Sequence, residues 1–331
     1  MKQRTLGKGL TVSAVSLGCM GLSHAFGAPT EKAEAIKVLR SAFDLGYTMF
    51  DTAECYTGVY ADGSISYNEE LVGEAIRPFR NGVVVATKFG VRHAPNHSLL
   101  VDSSPAAIRK AVEGSLKRLG VEAIDLYYQH RIDPKVSPEE VAGIMAELIQ
   151  EGKIIHWGIS EATEDYLRRA HAVCPVTAIQ NRYSMMARWH ESLFPVLEEL
   201  NVGYVAFSPL ANGFLSGSYG RDSKFDEKTD YRSQMPQFSA QGIDQNKDLL
   251  ALLRKLAADK GASPAQISLA WMIAKRPYIV PIPGSRKAER LRENAKAADL
   301  ELTSDEVAAI DRALDRTEMS QVFGGSNIIK Q

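Results

Sequence analysis

The 331-residue chain predicts an α/β fold, a (β/α)8 barrel with an N-terminal β-hairpin and a long loop after the seventh barrel strand. Three observations carry this. Eight short β-branched or aromatic runs punctuate the chain. Amphipathic stretches of helical length separate most of them. The runs are nearly continuous in apolar residues, as in parallel strands covered on both faces. Eight such units argue a closed barrel over an open sheet. The whole chain, 1–331, then reads as one barrel domain.

Taken in order, residues 3–14 come first. TLGKGLTV places a Gly-Lys-Gly turn between two extended pieces, a hairpin suited to closing the barrel floor. The strand runs are VSLG (15–18), YTMFD (47–51), VVVATK (83–88), AIDLYYQH (123–130), IIHWGIS (154–160), VTAIQ (176–180), VGYVAFS (202–208) and YIVPI (278–282). Helical stretches include 31–45, 68–77, 105–119, 138–151, 163–173, 191–201, 246–260, 263–274 and 287–297. Pro105, Pro138 and Pro264 each follow a serine, giving an N-cap and then proline at the first helical position. Gly46, Gly120, Gly152 and Gly203 sit where helices should stop. Two connections, Thr52 to about Tyr67 and about Ala211 to Gln245, are long enough to be binding loops or lids. Each follows a strand, on the face where a barrel does its chemistry.

Composition narrows the function classes. Lys+Arg number 39 against 40 Asp+Glu, a net charge of -1, with 45% hydrophobic and 24% charged residues. These values exclude a disordered tail and a supercharged nucleic-acid binder. No apolar run reaches the length of a membrane span. The N-terminus lacks the apolar core of a signal peptide. Cys19, Cys55 and Cys174 are odd in number and share no metal-like spacing, which points to reduced thiols in the cytoplasm. GxGxxG, GxxxxGK[ST] and HExxH are all missing. His93 and His97 are four apart but stand in a loop with no third ligand nearby.

What remains is the placement of polar residues. Asp51, Lys88 and His130 each end an apolar strand run, on three consecutive strands whose C-terminal ends meet at one mouth. Tyr56 lies five residues beyond Asp51 and reaches the same mouth. Asp51 and Lys88 alone suit a buried structural ion pair equally well. Together with Tyr56 they suit proton transfer. A phenol has a pKa near 10, and a neighbouring ammonium favours its ionised form. Asp51 would hold Lys88 charged, and His130 would hydrogen-bond the reacting oxygen. Such a set suits donating a proton to a carbonyl oxygen as it becomes an alcohol. Cys55, beside Tyr56, reads as a small loop residue. Tyr183 and Trp189 suit either a pocket wall or a packed loop.

The order D-T-A-x-x-Y, A-T-K and Y-x-x-H resembles the aldo-keto reductases. The match continues through GIS (158–160), IQNRYS (179–184), FSPLANGFLSG (207–217) and IPGSRKAERLREN (282–294). The run at 161–180 is similar to the perakine-reductase-like branch. The resemblance implies a barrel with NADP(H) across its mouth and reversible reduction of small aldehydes or ketones. It implies Tyr56 as general acid, with Lys88 and Asp51 lowering its pKa and His130 orienting the carbonyl. Ser160 and Gln180 would hold the nicotinamide carboxamide. Ser208, Leu210, Asn212, Gly213 and Leu215 match a pyrophosphate-binding loop. Ser285, Arg290, Glu293 and Asn294 match the adenosine 2′-phosphate and adenine site.

Two positions depart from the family. Glu161 stands where Asn is common, and a carboxylate accepts but cannot donate. Gly284 stands where Lys is common, with Arg286 and Lys287 just downstream as compensating cations. Arg292 and Lys296 read as a solvated helix face. The partner expected is a small carbonyl compound, with neither nucleic acid nor membrane. A second class is a nicotinamide-sensing regulatory barrel subunit with little turnover. A third is a hydrolytic or isomerising barrel without nicotinamide. Substrate and oligomeric state are not set by the sequence.

Overall fold

A computed structural model describes residues 1–94 and 98–322. The chain opens with β1 (Gln3–Leu6) and β2 (Leu10–Ser13), antiparallel, with Leu6 opposite Leu10. Gly7 in the turn has φ +51°, and a Cβ there would stand 2.5 Å from the Thr177 carbonyl oxygen. Only glycine lets the hairpin lie this close to the barrel.

Then follow β3 (Leu17–Gly18), α1 (Lys32–Asp44), β4 (Met49–Asp51), β5 (Thr57–Val59), β6 (Ile65–Tyr67), α2 (Asn68–Ile76), β7 (Val84–Phe89), β8 (Val91–His93), β9 (Leu99–Val101) and α3 (Pro105–Leu119). The chain continues through β10 (Ile124–Gln129), α4 (Pro138–Gln150), β11 (Ile154–Ser160), α5 (Glu164–Val173), β12 (Ala178–Arg182), α6 (Phe194–Leu200) and β13 (Gly203–Phe207). It ends with α7 (Ala240–Gln245), α8 (Lys247–Lys260), α9 (Pro264–Lys275), β14 (Ile279–Pro281), α10 (Ala288–Lys296) and α11 (Ser304–Arg316).

Eight parallel strands form one sheet in the order β3-β4-β7-β10-β11-β12-β13-β14. Its ends meet: the Ser16 N–H donates to the Pro281 carbonyl at 3.0 Å. All eight expected strand runs are barrel strands. Inward-facing Met49, Ala86, Leu126, Tyr128, Ala178, Val205 and Val280 cluster with Leu6, Leu10 and Val12 of the hairpin. The hairpin therefore closes the floor with apolar side chains, each fully buried one stabilising by about 1.5–3 kcal/mol. A larger cluster joins the outer strand faces to the helices.

Serine caps start three helices as expected. Ser104 accepts from the Ala107 N–H, Ser137 from Glu140 and Ser263 from Gln266. Gly120 closes α3 at φ +65°. Gly203 does not stop a helix. Asn201 closes α6 at φ +51°, while Gly203 begins β13 where a Cβ would meet Leu6. The helix expected over 191–201 is also shorter, because a 3-10 turn occupies Trp189–Leu193. The 52–67 connection folds into the β5–β6 hairpin, with Thr57 opposite Tyr67.

Candidate active site

Asp51 ends β4, Lys88 is the fifth residue of β7, and His130 directly follows β10. Tyr128 of β10 pairs with Lys88 in register, so these neighbouring strands end at one level. Lys88 is fully buried and Asp51 is 3% exposed. The Lys88 ammonium donates to Asp51 Oδ1 at 2.5 Å and to the Thr52 carbonyl at 2.7 Å. Its third contact is the Tyr56 hydroxyl at 3.5 Å. The second Asp51 oxygen accepts from Gln180 Nε2 at 2.7 Å. His130 meets the Tyr56 ring edge-on, with centroids 5.6 Å apart.

The backbone of Tyr56 is clamped. Its carbonyl accepts from the Asn68 N–H and from Ser23 Oγ, both at 3.0 Å. The β5–β6 hairpin begins at the next residue. His24 lies parallel to the Tyr56 ring at 6.0 Å, with His93 and Tyr231 against His24. Together these rings form an aromatic cluster on one side of Tyr56.

Burial sets the electrostatics. It pushes the Tyr56 phenol up to about 12, against the opposing pull of Lys88. Lys88 lowers the phenol's pKa as the sequence predicts, but Asp51 raises it, and loss of hydration outweighs the one ammonium. Burial also works against the Lys88 ammonium, but Asp51 and Tyr56 more than compensate and hold it above its ordinary range. Burial lifts the Asp51 carboxyl, opposed by Lys88 and Gln180. His130 is pulled well below 6.5 by burial and then by the cations Arg131 and Lys88, so its imidazole is neutral. The site thus holds a protonated phenol, an ammonium and a neutral imidazole within reach of one another.

The other expected residues fall around the same mouth. Ser160 and Gln180 are buried and pair across β11 and β12. Ser160 Oγ accepts from Arg131 at 3.1 Å, while the Gln180 amide nitrogen is committed to Asp51. Glu161 has φ +57° and accepts from the Arg182 N–H at 3.2 Å, so it ties the ends of β11 and β12 together. After β13, Ser208, Ala211, Asn212, Gly213 and Gly217 all have positive φ. The N–H groups of Gly213 and Leu215 turn inward to the Leu210 carbonyl. Leu215 itself is fully buried in the core, so its side chain faces away from the mouth.

Arg290 reaches from α10 across to Ser218 Oγ at 3.1 Å, with Glu293 at 3.0 Å as its counter-ion. Ser285 Oγ accepts from the Lys287 N–H at 3.1 Å, and Asn294 is buried on α10. Arg286 turns away, toward the loop after β3, donating to the carbonyls of Gly21 and Ala28. Arg292 and Lys296 are exposed. Tyr183 is fully buried, stacked on Trp271 at 5.4 Å, and is core; Trp189 is 53% exposed. His97 lies outside the described residues.

Sequence reasoning left the aromatic at Phe207–Ser208 open and missed two neighbours of it. Arg131 and Arg182 place their guanidinium groups 5.8 and 4.9 Å from the Phe207 ring at the end of β13. Arg131 follows His130 in the same apolar-to-polar transition, which was the available signal. Arg182 was hidden inside the longer string IQNRYS (179–184).

The C-terminal mouth of the barrel thus gathers a buried Lys–Asp pair, a phenol and an imidazole. The sequence model of the Aldo/keto reductase family matches residues 14–315, and the chain belongs to this family of oxidoreductases. A Glycine max protein named "Probable aldo-keto reductase 1" is 38% identical over 320 residues, covering 96% of this chain and 89% of the relative. The solved glycerol dehydrogenase of Gluconobacter oxydans is similar with TM-score 0.84 and 29% identity, covering 95% of each chain. An aldo/keto reductase from Klebsiella pneumoniae, solved with NADP and acetate, has TM-score 0.71 and 27% identity over 100% of both chains.

Proposed function

We propose that this chain is a single barrel domain that reduces small aldehydes or ketones to alcohols with NADPH, Tyr56 serving as the general acid. The observation that carries the reading is the Lys88 ammonium, buried and shared between Asp51, the Thr52 carbonyl and the Tyr56 hydroxyl. As the phenol releases its proton to the carbonyl oxygen, Lys88 stabilises the phenolate left behind. Asp51 keeps Lys88 charged and aimed. Neutral His130 donates to the same oxygen and fixes the carbonyl's orientation.

The residues present fit a dinucleotide coenzyme. Phe207 offers a half-buried face that already takes planar cations. Left-handed residues at 208, 211–213 and 217 fold this loop tightly after β13, where Ser208 and Asn212 supply polar side chains for a pyrophosphate. Arg290 and Ser285 stand at the start of α10, where a phosphate would also meet the helix dipole. When bound, NADPH supplies the hydride that reduces the carbonyl carbon. Ser160 and Gln180 would hold its carboxamide, Phe207 its ring, Ser208, Asn212 and Gly213 its pyrophosphate, and Ser285, Arg290, Glu293 and Asn294 its adenosine end. A cytoplasmic setting accords with three cysteines that are all unpaired with one another. Among the described residues no helix is long and apolar enough to cross a membrane.

The test is Tyr56→Phe, which keeps the ring and removes the proton. Turnover of a carbonyl panel, followed by NADPH consumption, should fall by ~10²–10⁴-fold. NADPH affinity should barely change. A variant that keeps most of its activity would remove Tyr56 from this role.

A further inference from the structure

We infer that Cys55 is a positioning residue for the reaction proposed above: its S–H donates to Nδ1 of His130 and so holds the imidazole as the Nε2–H tautomer. Cys55 Sγ lies 3.5 Å from His130 Nδ1. A neutral imidazole carries one N–H, and the bond made by one ring nitrogen decides which nitrogen keeps the proton. To donate to a carbonyl oxygen from Nε2, His130 must leave Nδ1 as an acceptor.

The thiol suits that acceptor. A thiol is a weak donor and a still poorer acceptor, whereas an imine nitrogen accepts well. Pairing S–H with Nδ1 satisfies both groups. The reverse bond would spend the ring's only N–H on sulfur and leave the Nε2 lone pair facing the electron-rich carbonyl oxygen. Burial keeps the thiol protonated, pushing it up to about 12, so the donor persists at neutral pH.

Both partners are fixed by backbone. The Glu54 N–H donates to the Lys88 carbonyl at 3.2 Å, and the Thr57 N–H to the Cys55 carbonyl at 2.9 Å. The Glu54 carboxylate accepts from the Gly90 N–H at 2.9 Å. On the other side the His130 N–H donates to the Phe89 carbonyl at 3.0 Å. Thiol and imidazole are thus carried on segments that are tied to β7. The positioning effect rests on the proposed role of His130, but the hydrogen bond can be measured without turnover.

The experiment labels the seven histidines with nitrogen-15 in the full chain and reads ring tautomers by NMR. His130 is assigned as the signal lost in His130→Gln. Wild type should show His130 protonated at Nε2. Cys55→Val, near in size and unable to donate, should shift the signal toward the other tautomer. Cys55→Ser should restore the wild-type pattern. In parallel, kcat/KM should drop roughly 2–10-fold in the valine variant, following the competent fraction, and recover in the serine variant. Wild-type protonation at Nδ1, or a valine variant with an unchanged tautomer, overturns the inference. If Tyr56→Phe abolishes turnover and the tautomer ignores Cys55, only this inference falls. If Tyr56→Phe stays active while the tautomer follows Cys55, the proposed function falls and the hydrogen bond stands.

Discussion

At the scale of single residues, charge placement separates chemistry from recognition. Lys88 and Asp51 are sealed from water, and their energy is spent on holding one phenol. Arg290 is the opposite case, a half-exposed guanidinium shared between Ser218 and Glu293. A guanidinium in that place can take a phosphate on two oxygens by exchanging one weak hydroxyl contact. Such a charge-assisted contact is worth roughly 1.5–3 kcal/mol, one to two decades in affinity. Arg290→Ala should therefore weaken NADPH binding by about that factor and leave NADH nearly unchanged in a fluorescence titration. Equal losses for both coenzymes would assign Arg290 to the shared part of the dinucleotide. Arg286, sequence-adjacent to the same site, faces the loop after β3 instead. Its direction follows from backbone geometry that a string of letters does not carry.

At the scale of elements, two loops cross the mouth and pair with each other. Phe26, after β3, bridges Asp230, after β13. The Gly27 N–H donates to the Thr229 carbonyl and the Tyr231 N–H to the Ala25 carbonyl, both at 2.9 Å. Arg232 locks the crossing. It is paired with Asp230 at 2.5 Å and laid against Phe26, Tyr219 and Phe225. Among the described residues only these two backbone bonds join the loop after β3 to the loop after β13, so this strap belongs to the easily opened part of the molecule. Saturating NADPH should slow proteolysis within 211–245, and Arg232→Ala should speed it in the free protein. Cleavage at one rate under all three conditions would mean that the strap is indifferent to coenzyme.

The same elements show what the sequence could reveal. The parallel strands are buried on both faces, so each appears as an apolar run, and Asp51, Lys88 and His130 stand out at or near their ends. Short hairpins such as β5–β6 and β8–β9 have no such pattern. Three-residue strands whose faces are neither clearly wet nor dry look like loop. Tyr56, Lys88 and Asp51 were legible as a group, but the phenol's raised pKa was not. It depends on how little water reaches the ring, a property of the assembled mouth.

At the scale of the whole molecule, burial of phenols gives the protein a defined alkaline limit. Tyr47, Tyr127, Tyr128, Tyr183 and Tyr204 are fully buried, and burial raises the pKa of each. Half-buried Tyr56 is also raised, to about 12. In the unfolded chain these groups ionise near pH 10. Each folded pKa lies above the unfolded one, so their contribution to stability is fully present below pH 10. It is lost as pH rises beyond that point. Melting temperature should hold up to about pH 10 and then fall steeply. The part of the tyrosinate ultraviolet band that belongs to these buried phenols should appear together with unfolding, and its full appearance in a still-folded protein would contradict this account.

The apolar hairpin under the barrel has a further consequence for traffic. A barrel packed with side chains and sealed at its base has one doorway. Whatever comes to Tyr56 and whatever departs from it must pass the same opening, under the same strap. Arrival and exit are then a queue: the guest seated deeper enters before its companion and waits for that companion to leave. Leu6, Leu10 and Val12, far from any reacting atom, would thereby help impose an order on events at the opposite end of the molecule.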